Sequence, residues 1–592
     1  MRKGDGYSAE SILAQTERIL ASPHFVRSAA LCRFLRFVVE QSLAGNADEL
    51  KEYRLGVDVF QRGADFDSRV DPIVRMQAAK LRSRLAEYYN QEGRSDRLVI
   101  SISKGGYAPS FSLTEGETNR DTGATGDRQS IAVLPFVNMS ADIENEYFSD
   151  GLTEELINLL TSVPGLRVVA RTSVFSFKNV ATDIRDIGAK LNVQTVLEGS
   201  VRKSGNQLRV TAQLIDVGSG YHLLSRTYPR ELKDVFAVQE ELANAVVTEI
   251  MPQMRGVRPE GFLRVKAVDL TAYNLYLKGM FALSKSFLGP RESAAIFQEV
   301  LKIDPSYAPA AAGLAYAYFV MAWYSIVPAK EAMPLGKLAA QNALRLDPSL
   351  AQGYTILGAI QAVFDWDWAE AERNFQQAIA LQPGLASAYQ LHAGTCCLAH
   401  RRLADAVAAI EQAIALNPFD TLVRATSTHI YAVAGNQQAA LENYSLGMEI
   451  NPKAPLLYRA IGLAHQARGE FDSAIEAFRK ACDVSGRAPL SLSGLGNALA
   501  TSGDHVAAKA LLQELLAAPG AHALALCILH AGLGDREETL RWLEKAIDDR
   551  EPYAILIPVD CRFFGLRGDG AFEGLLKRMG LTGAAVARSG LT

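Results

Sequence analysis

Apolar residues return every three or four positions through residues 28–44 (SAALCRFLRFVVEQSLA). Leu31, Leu35, Val38 and Val39 share one face, a spacing that predicts an amphipathic helix. A shorter helical run follows at 50–60, and a third opens at Asp71, placed to cap it with Pro72 at its first position. Along DPIVRMQAAKLRSRLAEYYN, the residues Val74, Ala78, Leu81, Leu85 and Tyr88 form the stripe that should be buried. Arg75, Lys80, Arg82 and Arg84 take the flanks and outer face, beside the small Ala79 and Ser83. The period then drops to two. LVISIS (98–103) and YAPSF (107–111) read as strands, and Gly105 and Gly106 after Lys104 supply the positive φ of a tight hairpin. A further helical segment, SAESILAQTERIL, precedes these elements.

Residues 114–129 lose the pattern altogether: polar, rich in Gly, Thr and Asp, they read as a flexible linker spanning roughly 25 Å. From 130 to 252 strands and helices alternate. SIAVLPF is a buried strand, SDGLTEELINLLTSV a helix ended by Pro164-Gly165, LRVVAR a second strand and DIRDIGAKLN a helix. QTVLEGSVRKSG, NQLRVTAQLIDVGSG and YHLLSRTYPR form an antiparallel meander with Leu208, Val210, Ala212 and Leu214 on one face, closed by a helix at 234–250. Phe148, Asp150, Gly151 and Thr153 sit where the first of these helices begins, with Asp150 as its expected cap.

Beyond residue 265 the dominant signal is repetition. Prolines at 305, 348, 383, 418 and 452 fall 43, 35, 35 and 34 residues apart. Ala371, Ala406, Ala440 and Ala474 keep the same register, as do Ala378, Ala413, Gly447 and Ala481. About eight units fit between roughly 270 and 550, and the 43-residue interval implies an insertion near 324–334. In the unit PLLYRAIGLAHQARGEFDSAIEAFRKAC (455–482), Gly462 permits close approach of helices, Gly469 ends the first one and Ala474 marks the crossing with its partner. The terminal CRFFGLRGDGAFEGLLKRMGL reads as a capping helix with a polar outer face.

Composition narrows the classes. Of 592 residues, 48% are hydrophobic and 21% charged, with a formal net charge of −4, ordinary for a folded protein and no polycation. Charge is uneven: residues 1–113 hold 17 Lys/Arg against 14 Asp/Glu, leaving 44 against 51 for the rest. Any nucleic-acid contact is therefore expected at the N-terminal end. The six cysteines show no CxxC pair and read as reduced, small core residues of a cytoplasmic protein. Residues 307–329 lack charge, but Pro309, Pro328 and the repeat register mark them as a buried repeat helix rather than a membrane span.

HExxH, GxxxxGK[ST] and GxSxG are absent, and Gly494 and Gly496 fall inside a repeat helix rather than after a strand. His392, Cys396 and His400, with Cys397 adjacent, could share a helix face. Gly394 holds the close-approach position there, and core packing is the reading taken for this cluster, as for His522, Cys527 and His530. No catalytic, cofactor or metal site is expected, and no enzymatic activity.

Three resemblances follow from these residues. Gly462, Gly469, Ala474 and the recurring proline resemble the tetratricopeptide repeat, which implies a superhelix whose groove takes a protein or peptide. KLRSRL (80–85) followed by KGGY (104–107) resembles the winged helix-turn-helix effector domain of OmpR-type response regulators, although a helical segment stands where that family opens with strands. The resemblance implies DNA binding, with Arg75, Lys80, Arg82, Arg84 and Lys104 as the residues that would carry it, mostly on phosphates. IAVLPF, YFSDGLTEELINLL and LEGSVRKSG with QLRVTAQLID resemble the TolB-like, FlgO-related domain, an α/β module to which the resemblance attaches no catalytic residues. Proteins of this layout are sometimes fused to nucleotide cyclase domains, for which this chain has no spare segment.

The expected architecture is multidomain: a small α+β winged helix (1–113), a linker (114–129), an α/β TolB-like domain (130–255) and an all-α tetratricopeptide superhelix with its cap (265–580). The expected function is a cytoplasmic DNA-binding transcriptional regulator whose array holds a partner protein. The alternative is a protein-interaction scaffold that never touches DNA. Oligomeric state is left open.

Overall fold

The structure, a computed structural model, describes residues 9–581 apart from 23–24, 27, 45, 47–49, 64–65, 67–72, 91, 94–95, 97, 103–106, 114–129, 141–144, 162, 164, 181, 232–234, 251–268, 286–288 and 519–521. The expected Asp71 cap, the Pro72 that follows it, the Lys104 turn, the linker and Pro164 lie outside the described residues. Two compact units divide the chain, Met1–Gly126 and Asp127–Thr592.

In the first unit, helices α1 (Ala9–Leu20), α2 (Ala29–Leu43), α3 (Glu52–Asp58) and α4 (Ile73–Asn90) precede strands β1 (Leu98–Ile102) and β2 (Pro109–Leu113). The strands pair antiparallel, Leu98 opposite Leu113 and Ile102 opposite Pro109. The stripe read from α4 is buried throughout: Val74, Ala78, Leu81, Leu85 and Tyr88 are all at most 3% exposed. They pack with Phe34, Leu35, Val38 and Val39 of α2, Leu55 of α3 and Ile100 of β1 in one core. Each such side chain stabilises the unit by about 1.5–3 kcal/mol relative to an exposed one.

Helix α1 is part of this core, through Ile12 and Ile19, and is fastened by a buried carboxylate. Asp96 accepts hydrogen bonds from Gln15 Nε2 at 2.5 Å, Tyr88 Oη at 2.7 Å and Arg18 Nη1 at 2.9 Å. Burial pushes this carboxyl upward, but the donors on Gln15, Tyr88 and Arg18 outweigh it and hold it below its ordinary value.

The second unit begins with a mixed sheet of order β5-β3-β6-β7-β8, with β4 also beside β6. Strands β3 (Ser130–Val133), β4 (Val137–Asn138) and β5 (Arg167–Val168) run parallel to their neighbours, whereas β6 (Thr195–Ser204), β7 (Gln207–Asp216) and β8 (His222–Glu231) form the expected meander. Leu208, Val210, Ala212 and Leu214 are buried, as their alternation predicts. Around the sheet lie α5 (Glu146–Thr161), α6 (Arg171–Phe175), α7 (Ile184–Leu191) and α8 (Val235–Ile250). Asp183 caps α7 by accepting from Arg185 N, and Asn192 ends it in the left-handed conformation at φ 52°.

Two local expectations need correction here. The run LRVVAR is extended only at Arg167–Val168, because Arg171 already opens α6. Asp150 is not a cap, since α5 begins a full turn earlier at Glu146. Instead its buried carboxylate accepts from Lys178 Nζ at 2.5 Å, and the same ammonium pairs with Glu146 at 2.6 Å.

Eight helical hairpins follow among the described residues: α9 (Leu270–Lys285) with α10 (Gly289–Ile303), α11 (Ala308–Trp323) with α12 (Ala329–Leu346), α13 (Ala351–Ile360) with α14 (Trp368–Leu381), α15 (Ala386–His392) with α16 (Leu403–Leu416), α17 (Thr421–Val433) with α18 (Gln437–Ile450), α19 (Pro455–Ala467) with α20 (Phe471–Ser485), α21 (Pro489–Thr501) with α22 (His505–Ala517) and α23 (Ala523–Gly532) with α24 (Arg536–Asp548). The register residues Ala371, Ala406, Ala440 and Ala474 are fully buried. At Gly462 a methyl group would sit 2.9 Å from the Phe478 ring, which is why that position takes glycine. The 43-residue interval is absorbed by the 324–328 turn and by α12, 18 residues long with Pro334 inside it. Helices α13 and α15 each run on into a π-turn, Gln361–Asp365 and Ala393–Cys397.

Sheet and array belong to one compact unit, Asp127–Thr592. Gly151 of α5 faces α9 so closely that a methyl group would meet Leu277 at 2.5 Å. Gln239 Nε2 of α8 donates to Tyr273 Oη of α9 at 2.5 Å, and Phe236 packs edge-on against the same ring. Farther along, Ser173 Oγ donates to Asn417 Oδ1 at 2.5 Å and accepts from Phe419 N at 3.0 Å, while Asn417 also bonds Thr172. One hydrophobic core thereby joins the sheet to the first three hairpins, the eighth hairpin and the C-terminal segment, while most of the fourth to seventh hairpins packs in clusters of its own.

Candidate nucleic-acid interface and partner groove

Successive α-helical residues turn by about 100°, which sets the four cations of α4 on two edges of its outer face. Arg75 and Arg82, seven apart, lie on one edge, and Lys80 and Arg84, four apart, on the other; positions 76, 79 and 83 fall between them. Lys80 and Arg84 are exposed, and Arg75 is 55% exposed with its Nε 3.3 Å from Glu52 Oε1 of α3. Arg82 is half-buried and donates from Nε to Ile102 O at 3.2 Å, tying α4 to the end of β1. Lys80 and Arg84 thus lie exposed along one edge, while Arg75 and Arg82 along the other reach Glu52 and Ile102. Lys104 lies outside the described residues.

Glu52 is the residue that sequence reasoning missed at this face. It also accepts from Tyr107 Oη at 2.5 Å, so the tyrosine of KGGY is joined through one carboxylate to Arg75. Burial and that carboxylate push the Tyr107 phenol up to about 12, so it stays a donor at neutral pH. Elsewhere in the unit cations meet acids, Arg36 with Glu17 at 2.7 Å, Arg54 with Asp58 at 3.4 Å and Arg18 with Asp96.

The inner face of the array, where a bound peptide was expected, holds the chain's own C-terminal segment. Past α24 the chain forms two 3-10 turns, Pro552–Val559 and Cys561–Leu566, and then α25 (Gly570–Arg578). Tyr553 packs on Trp323 of α11 with ring centroids 4.6 Å apart, and Arg459 of α19 lies 5.0 Å from the same ring. Leu556 joins the cluster of Ala393, Cys397, Val423 and Ile430. Asp560 and Arg562 pair at 2.5 Å with both side chains nearly buried, close to His429 of α17, Arg459 of α19 and Cys527 of α23. Burial pushes His429 down to about 4, so it is neutral in this surrounding.

Helix α25, expected as a terminal cap, has contacts beyond the last hairpin. It does meet α24, where Arg578 pairs with Glu544 at 3.1 Å and with Asp548. The residues after it, however, return to the third hairpin, where Trp368 Nε1 of α14 donates to Met579 O at 2.8 Å. Arg550 makes the same link from the other side, donating to Phe364 O at 2.9 Å with its guanidinium 3.5 Å over Trp366.

The His and Cys cluster on α15 is divided among different contacts. His392 Nε2 meets Glu372 Oε2 at 2.6 Å and Cys397 Sγ at 3.7 Å, and Glu372 also pairs with Arg402. Burial lowers the imidazole, but Cys397 and Glu372 outweigh it and raise it to about 9. His400 packs on Trp368 instead, with centroids 4.6 Å apart. Among the described residues no three His, Cys, Asp or Glu are grouped so as to hold a metal ion, and no helix is long and apolar enough to cross a membrane.

Residues 127–245 match the family described as HilA/YgeH-like transcriptional regulator, second domain. Residues 366–421 and 459–523 match the tetratricopeptide repeat. The chain is 39% identical over 248 residues to the Rhizobium meliloti (strain 1021) protein named "Putative adenylate cyclase 3", covering 41% of this chain and 42% of that protein. It therefore spans less than half the length of this curated relative. Among solved structures, MamA superimposes with a TM-score of 0.23 at 24% identity over 26% of this chain and 91% of its own. The type IV pilus biogenesis factor PilW gives 0.31 at 16% over 40% and 98%. A tetratricopeptide repeat protein from Parabacteroides merdae ATCC 43184 gives 0.32 at 15% over 45% and 98%.

Proposed function

We propose that this chain is a transcriptional regulator whose N-terminal unit is a winged helix that binds DNA, and whose array holds a protein partner. The observation that carries the reading is the outer face of α4: exposed Lys80 and Arg84 on one edge, Arg75 on the other, on a helix whose apolar stripe is fully buried beside a β-hairpin. Such a helix can enter a major groove while its cations neutralise phosphates and release counterions. The match of residues 127–245 to the second domain of transcriptional regulators supports it, because the proposed DNA-binding unit stands directly before that segment. The TolB-like likeness of the sheet is consistent with a coupling role, since the sheet shares its core with the array. We assign the chain no enzymatic activity, and cyclic AMP formed from ATP by the purified protein would overturn that assignment.

Genome-wide recovery of DNA crosslinked to the full-length chain tests the regulator reading. Discrete enriched sites, lost in the Lys80→Ala/Arg84→Ala variant at equal protein level, are expected. Uniform background in both would sink it. A scaffold without DNA contact is the second reading, favoured by the engagement of Arg75 with Glu52 and of Arg82 with Ile102 inside the unit.

A further inference from the structure

An array of helical hairpins folds through contacts between neighbours, so no hairpin needs a distant strand to complete it. Residues 551–566 are out of that scheme. They follow the eighth hairpin, form 3-10 rather than α turns, and touch the second, third, fifth, sixth and eighth hairpins along with the π-turn that extends the first helix of the fourth. This is the footprint of a peptide laid along a superhelical groove. The chain enters it through Arg550, a non-glycine residue at φ 56°, immediately after α24. Its contacts are a ligand's mixture: an aromatic ring between Trp323 and Arg459, branched apolar side chains at Ile555, Ile557 and Val559, and the Asp560–Arg562 pair beside His429. The fit is incomplete at one atom, because the Tyr553 hydroxyl is buried with no hydrogen-bond partner among the described residues.

We infer that residues 551–581 are a resident ligand of the array's inner face, and that the partner enters by displacing them with a segment of the same chemistry. That chemistry is an aromatic residue, a short run of branched apolar residues and an acid two positions before an arginine. The inference rests on the reading of the array as a partner-binding module. It makes the unliganded chain self-occluded, and partner affinity reduced by the fraction of chains whose segment is out.

The test uses the full-length chain and a labelled synthetic peptide of residues 551–581 as probe. Amide hydrogen exchange of the wild type should show 552–578 opening about tenfold or more faster than the buried amides of α17 and α19 that surround it, by a local opening. Ile555→Asp should dislodge the segment, keep the helical circular dichroism of the array, and bind the probe with an affinity about tenfold or more above that of the wild type. Exchange of 552–578 only together with α17 and α19 would overturn the inference, as would loss of array helicity in Ile555→Asp or a folded variant that takes no probe. If the segment opens and the probe binds while neither wild type nor variant retains any protein partner, the resident ligand stands and the partner-binding reading fails.

Discussion

The outer face of α4 and the inner face of the array are the two surfaces where the residue pattern points to a macromolecule, and the structure treats them oppositely. On α4 the polar face is turned out, with Lys80 and Arg84 exposed above a buried stripe. In the array the face is closed by 552–566, whose Ile555 and Phe563 are 0% and 1% exposed. A cationic helix face costs little to leave in water, because its charges are hydrated. A concave apolar face does not have that option, and unless a partner is present the chain's own apolar residues cover it. One surface is therefore exposed, and the other filled.

The largest expected effect lies in the filled surface. Phe563→Ala should cost the docked segment about 3–5 kcal/mol, read as lost exchange protection over 552–578. Adding Ile555→Ala should cost less than the sum, because once the segment is out the second truncation removes nothing. Full additivity would make the segment ordinary core and erase the contrast.

Next comes the frame that holds α4. Asp96→Ala should lower the stability of the N-terminal unit by about 3 kcal/mol, since it removes three hydrogen bonds to one buried carboxylate. Because the folded carboxyl lies below its ordinary value, this stabilisation is complete above about pH 4 and is lost as pH falls through the folded pKa. Melting of the unit in Asp96→Ala should therefore lose part of the wild-type decline in acid. An unchanged acid profile would remove Asp96 from the account.

Smaller still is the difference between the two edges of α4. Arg82→Ala should cost about 1 kcal/mol through the lost bond to Ile102 O. Lys80→Ala and Arg84→Ala should stay within about 0.5 kcal/mol of the wild type in denaturant unfolding. Equal losses at all three would mean that no edge of the helix is reserved for a ligand.

The sequence made the periodic parts of this molecule legible and the tertiary ones not. Val74, Ala78, Leu81, Leu85 and Tyr88 were readable because a helix facing one core repeats its apolar positions. Ala371, Ala406, Ala440 and Ala474 were readable because every hairpin solves the same packing problem. Asp150 misled because an acid near the start of a helical run fits both a cap and a buried partner of Lys178, and only the fold puts Lys178 there. Asn417 and Ser173 meet across 244 residues, a separation that leaves no local trace. The run PYAILIPV (552–559) is apolar, but nothing in its pattern says which face it covers. On the outer face of α4 the cations were visible, whereas Glu52, which engages Arg75 and Tyr107, was not.

The central claim, that α4 is a DNA-binding face, is tested most directly by anisotropy of labelled duplex DNA titrated with the full-length chain across salt concentrations. The account predicts affinity that falls linearly on a log–log plot with salt, and a slope about two units shallower in Lys80→Ala/Arg84→Ala. Binding that is absent, or present with a slope identical in the variant, would contradict it.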